Sequence, residues 1–371
     1  MKDSAFIAGT AIPFAAGVAA GTLLAAFSGH IPLSIPLILS IALTALTALI
    51  FLGYDNRSGK VGVRVCIGAV FLMAGIFCSV NSALSEGIPV PEGPLSKAAR
   101  VLGARLKALI DSIPYPSRST GPLVKALLTG DRGDLDRSII ETFRASGASH
   151  ILALSGLHLG ILYLILTRLA SPVGNSPGAK TVKYVLTVAA AGFYTIMTGA
   201  SPSIVRAFLF IFLGETAKRL GRKRVPSMIL LAALTIQLAL KPEVISSLGF
   251  QLSYLAMTGI VTIFPYLESL YPESKGLPGK VDPFARIWKG AMLTLSCQVF
   301  TAPLVWSRFH TFPRYFLLTN LTALPLTSAI VTISVITIAL SSVGICPEII
   351  VNLNDRAVQI LIYCLRIISS M

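Results

Sequence analysis

The chain has 371 residues, of which 54% are hydrophobic and only 13% charged, with a mean hydropathy of +0.77; an average soluble domain carries about 25% charged residues. That balance excludes a soluble enzyme and indicates one polytopic membrane domain, because a hydrocarbon core about 30 Å thick takes roughly 20 apolar residues per helix. The net charge of +15 invites a polyanion or anionic lipid as partner, although much of it sits in loops on one side of the spans.

In chain order, apolar runs at 5–28, 32–53, 61–82, 148–170, 182–200, 203–217, 226–240, 249–270, 289–307, 317–341 and 347–369 predict an all-α integral membrane bundle of about ten or eleven transmembrane helices. The first run, Ala5 to Ser28, exceeds a signal peptide's core and has only Lys2 as a basic flank, so it reads as a retained span. Runs 203–217 and 226–240 are short enough to be tilted, broken or re-entrant, and the last run carries Asn352, Asn354, Asp355 and Arg356 in its first half. Alternating the connections places the N-terminus, 54–64, 168–183, 215–225 and 268–289 on one side with 16 Lys and Arg; the short connections opposite carry three, Lys241, Arg308 and Arg314. The basic side is cytoplasmic by the positive-inside rule. Five scattered cysteines show no metal or redox spacing, so no cofactor is expected.

Three regions follow from this layout: an N-terminal membrane region at 1–84, an extracytoplasmic segment at 85–147 and a transmembrane core at 148–371. In the segment, Pro94 to Asp111 places Leu95, Ala98, Ala99, Leu102, Leu106 and Leu109 on one helical face with Lys97, Arg100 and Lys107 turned away, as in an amphipathic helix lying on the bilayer. Leu123–Leu128 and Leu135–Ala145, broken at Gly130–Gly133, predict a short helical hairpin beside a mouth or cavity.

The stretch Ser146–Gly160, SGASHILALSGLHLG, places His150, Ser155 and His158 in an otherwise apolar helix with Gly147, Gly156 and Gly160. Ser155 and His158, at i,i+3, share a face. An imidazole in a span is costly unless it faces a cavity or a partner, so this face lines a path or glues two helices. A serine beside a histidine also suggests hydrolytic chemistry, but side-by-side placement on one helix gives no attack line, and no oxyanion hole or orienting acid is evident. In SPSIVRAFL (201–209), Arg206 lies one turn inside a helix opened by Pro202; it pairs with an anion, faces water or snorkels. Gln251 and Ser253 in GFQLSY, and Asn320 with Thr322 and Pro325 in NLTALPL, bring hydrogen-bonding groups into two further spans. Nearly all carboxylates lie in loops, Glu348 and Asp355 being the exceptions, which disfavours an ion-coupled transporter. No phosphate-binding glycine loop, metal cluster or nuclease motif is present.

With LLTGDRGDLD (127–136), SHILALSGLHLG (149–160), SPSIVRAFL (201–209), GFQLSYLA (249–256) and NLTALPL (320–326) in this order, the sequence resembles the ComEC family of competence proteins. The resemblance implies a multi-pass inner-membrane channel for DNA uptake in transformation, not an enzyme. It places Ser155, His158, Arg206, Gln251 and Asn320 at the family's motif positions. The expected channel-lining set is His150, Ser155, Gly156, His158, Arg206, Gln251, Ser253 and Asn320. The expected partners are single-stranded DNA, a separate DNA receptor, a nuclease, a cytoplasmic ATPase or helicase and the lipid bilayer, with the pore within one chain or in a homo-oligomer. Receptor and nuclease are expected on other chains because 84–94 is too short for the family's β-domain and no His-x-His-x-Asp pattern occurs. The alternatives are an intramembrane serine hydrolase using Ser155 and His158, or a transporter of another anionic solute.

Overall fold

The computed structural model describes residues 2–27, 59–85, 93–174, 176–271, 282–310 and 314–370; the expected span at 32–53 lies outside them. Every other expected span coincides with helix, and the described residues contain no strand. The helices are α1 (Lys2–Phe27), α2 (Gly59–Ser85), α3 (Pro94–Ser112), α4 (Thr120–Thr129), α5 (Arg137–Ala145), α6 (Ser149–Leu152), α7 (Gly156–Leu169), α8 (Pro177–Met197), α9 (Pro202–Arg219), α10 (Pro226–Leu240), α11 (Leu248–Thr262), α12 (Phe264–Ser269), α13 (Pro283–Phe309), α14 (Phe316–Ser342) and α15 (Glu348–Ser370). Among the described residues, the stretches Gly156–Val173, Leu248–Ser269 and Phe316–Ser342 are long and apolar enough to cross a bilayer, with shorter apolar helices at Gly9–Leu23, Ile67–Ala83 and Pro226–Leu240. The protein is an all-α membrane bundle. Proline opens α3, α8, α9, α10 and α13, where its missing N–H costs no helical hydrogen bond.

The chain divides into two compact units. The first comprises Met1–Pro91 and Leu220–Tyr254. Here α1 and α2 run parallel, and their backbones touch through glycine: a Cβ on Gly17 would lie 1.9 Å from the Leu72 carbonyl oxygen, and one on Gly75 would lie 2.1 Å from that of Phe14. Gly17 and Gly21 form a small-xxx-small seam, the usual route to close helix packing in lipid, where burial of apolar surface supplies no drive.

The second unit comprises Glu92–Arg219 and Leu255–Met371. Its core joins the α4–α5 hairpin and α6 to α14 and α15 through Leu123, Leu127, Phe143, Ile151, Ile330 and Leu361. At one end Thr319 donates to the Ser146 carbonyl at 2.7 Å. At the other, Asn354 bridges Ser334 at 2.9 Å and the Tyr115 hydroxyl at 3.3 Å. Fifteen helical rises separate Thr319 from Ser334, so segment 115–146 runs along α14 for about 22 Å.

Two expectations change in detail. Helix α3 packs through Ala99, Gly103 and Ile110 while Leu95 and Leu102 remain exposed. Lys107 does not turn away but pairs with Asp131 at 2.6 Å. Expected span 148–170 is two helices, α6 and α7, separated by extended backbone at Ala153 and Ser155.

Candidate functional site

The break between α6 and α7 is held from outside both helices. Helix α4 ends on Gly130 in the left-handed conformation, φ +78°, and the loop that follows reaches the break. A Cβ on Gly130 would lie 2.6 Å from Leu154 Cδ1, and Arg132 Nε donates to the Leu152 carbonyl at 3.1 Å, satisfying an acceptor left open where α6 stops. The rest of the loop is neutralised locally: Asp134 and Asp111 accept from the buried ammonium of Lys125, and Asp136 caps α5 through the Ser138 N–H at 3.0 Å. Hydrogen bonds from the Lys107 ammonium and then the Gly133 N–H hold the Asp131 carboxyl below the ordinary carboxylate range.

Ser155 is the N-cap of α7. Its Oγ accepts from the Leu157 N–H at 3.3 Å, while His158 at N3 folds back so that Nδ1 lies 3.2 Å from the Ser155 N–H and 3.2 Å from Ser155 Oγ. This is a capping box with histidine in the place usually held by Glu or Gln. His158 is 2% exposed, and its Nε2 has no hydrogen-bond partner among the described residues.

Arg206, 9% exposed in the first turns of α9, reaches the same end of α7: a Cβ on Gly156 would lie 3.4 Å from Arg206 Nη2 and 3.4 Å from Ala207 Cβ. The helices are fixed beneath it by Leu159, Ala191 and Ile204 and by the Tyr194 hydroxyl, which donates to the Leu128 carbonyl at 2.7 Å. From Gly156 an open cavity of about 580 Å³ follows α7 past Gly160 and Tyr163 to Arg168, with Ser328 and Thr332 of α14 on its wall. Twelve helical rises make it about 18 Å long. Among the described residues, Arg168 is the single charged one lining it.

The structure thus brings Ser155, Gly156, His158 and Arg206 to one helix end. His150 is exposed on α6, its Nδ1 3.2 Å from the Gly147 carbonyl oxygen. Asn320 is half-buried in α14, with a buried Oδ1 that has no partner among the described residues. Gln251 and Ser253 belong to the first unit: Gln251 donates to the Ile245 carbonyl at 2.9 Å, and Ser253 is buried beside Tyr254, whose hydroxyl meets Gln237 Oε1 at 3.0 Å. Asp355 is one of the two carboxylates that the sequence places in a span. It is buried on α15 and accepts from the Ser117 N–H at 3.2 Å, the Ser117 hydroxyl at 2.9 Å and the Thr120 hydroxyl, while Gln359 donates to Ser119 at 3.0 Å. The signal was the polar run Asn352–Arg356 in a span, because a carboxylate at such a position requires a partner.

A family model described as "Competence protein" matches residues 127–371, from the last turns of α4 through the helix break, Arg206 and Asp355 to the end of the chain. The chain belongs to the competence protein family. This bears out the ComEC resemblance carried by the ordered motifs. ComE operon protein 3 of Bacillus subtilis (strain 168) is 27% identical over 199 residues, an alignment that covers 53% of this chain and 23% of that relative. No solved structure matches. Within the matched range, residues 127–136 and 149–160 lie together, the hairpin loop reaching the break that Ser155 caps.

Proposed function

We propose that this protein forms the channel through which single-stranded DNA crosses the bacterial inner membrane during natural transformation, with its N-terminus in the cytoplasm and a cytoplasmic ATPase or helicase driving transit. Family membership supports a role in DNA uptake. The observation that carries the channel reading is Arg206, a cation buried inside the bundle against the first residue of α7, at the head of an open groove whose single charged lining residue among those described is also cationic. A conduit for a polyanion needs a few cations and hydrogen-bond donors, without so many that transit stalls. The hydrolase alternative loses its main motive, since the serine and histidine contact is accounted for as a helix cap and Ser155 Oγ already accepts from a backbone N–H.

The test is transformation by free DNA. A strain lacking the gene should not transform, and Arg206→Gln should cut transformation by at least about tenfold, as expected for losing one charge-assisted contact. Undiminished transformation of the deletion strain, otherwise competent, would end the assignment. A fluorophosphonate probe that labels Ser155 would instead revive hydrolysis.

A further inference from the structure

His158 uses its two ring nitrogens differently. A backbone N–H is a permanent donor, so the nitrogen facing the Ser155 N–H at 3.2 Å must accept. Nδ1 therefore carries no proton. An imidazolium would turn N–H against N–H, so the cap also fixes the ring as neutral, with its proton on Nε2. That Nε2–H is buried and meets no acceptor among the described residues, an arrangement that is costly to leave unmatched. A plain cap would not require it, because Gln or Glu at N3 does that work in an ordinary capping box.

Building on the channel reading, we infer that the first turn of α7 is a phosphate-holding station, where a backbone phosphate of the passing strand accepts from His158 Nε2–H. The position suits an oxyanion. The helix N-terminus offers positive potential, and the Arg206 guanidinium lies against Gly156, the first residue of the same turn. A neutral donor adds direction without another full charge, so the phosphate is held briefly and released. The groove that starts at Gly156 receives the strand next.

Two substitutions separate cap from donor. Asn Oδ1 stands one bond from Cγ, as His Nδ1 does, so His158→Asn keeps the cap acceptor and deletes the Nε2–H. Gln Nε2 stands two bonds from Cγ, as His Nε2 does, so His158→Gln returns a donor to that place. The expectation is that H158N unfolds in detergent near the wild-type temperature yet transforms about tenfold less well, and that H158Q recovers most of the loss. Wild-type transformation by H158N would overturn the inference. Should H158N not fold, the histidine-labelled wild-type protein decides: the His158 Nε2 resonance should be that of a protonated nitrogen and move on adding a short oligothymidylate or inorganic phosphate. A resonance from an unprotonated Nε2, or one that neither ligand moves, refutes it. A response to inorganic phosphate in a protein whose deletion leaves transformation intact would keep the station and remove the DNA channel.

Discussion

Gly130→Ala tests whether the hairpin loop sets the break above α7. Gly130 has φ +78° and ψ 0°, a left-handed conformation that costs an L-residue with a Cβ about 1–2 kcal/mol. The new Cβ would also lie 2.6 Å from Leu154 Cδ1 and 3.1 Å from Leu154 Cγ, well inside the optimum near 3.5–4.0 Å. Leu154 must then leave its rotamer at about 0.5–1.5 kcal/mol, giving a total of about 2–3 kcal/mol. For a chain of this size that lowers the melting temperature by about 3–4 °C, readable by thermal unfolding in detergent. The contact is isolated by a double-mutant cycle. In a Leu154→Ala background only the backbone cost should remain, so the two substitutions should couple by about 1 kcal/mol. Equal costs in both backgrounds would show that Gly130 does not bear on the break. No cost in either would show that the left-handed turn is not required.

Asp355→Leu should destabilise the second unit by about 2–4 kcal/mol, because it leaves the buried Thr120 hydroxyl and the half-buried Ser117 N–H and hydroxyl without their acceptor, whereas Asp355→Asn, which retains one carbonyl oxygen, should cost clearly less; equal costs, measured by thermal unfolding, would contradict the geometry. Asp131 titrates below its unfolded value, so its contribution to stability is complete above about pH 4 and is lost as pH falls through the folded value. Asp131→Asn should therefore flatten the stability profile in that acidic window and nowhere else, and a flattening near neutral pH would point to another group.

The spans were legible because lipid leaves little choice: only long apolar helices satisfy their backbone groups there, and hydropathy reads that requirement directly. Segment 115–146 was legible as a hairpin, from the break at Gly130–Gly133, but not in its depth. Its polar groups make it look like a surface loop, yet each finds its partner inside the unit, Lys125 with Asp111 and Asp134, and Ser117 and Thr120 with Asp355. An average over a sequence window counts polar atoms and cannot see that they neutralise one another. The same limit applies to the helix at 148–170. The i,i+3 spacing of Ser155 and His158 was read as two side chains on one face of a continuous helix, but a serine in front of a glycine can also end one helix and cap the next. Which occurs is decided some twenty residues upstream, where Arg132 takes the Leu152 carbonyl and Gly130 leaves room for Leu154. The two motifs therefore work as one device: without the loop's hold on the break, the Ser155 N–H would join a helical ladder instead of facing His158, and the imidazole would lose the contact that fixes which nitrogen carries its proton.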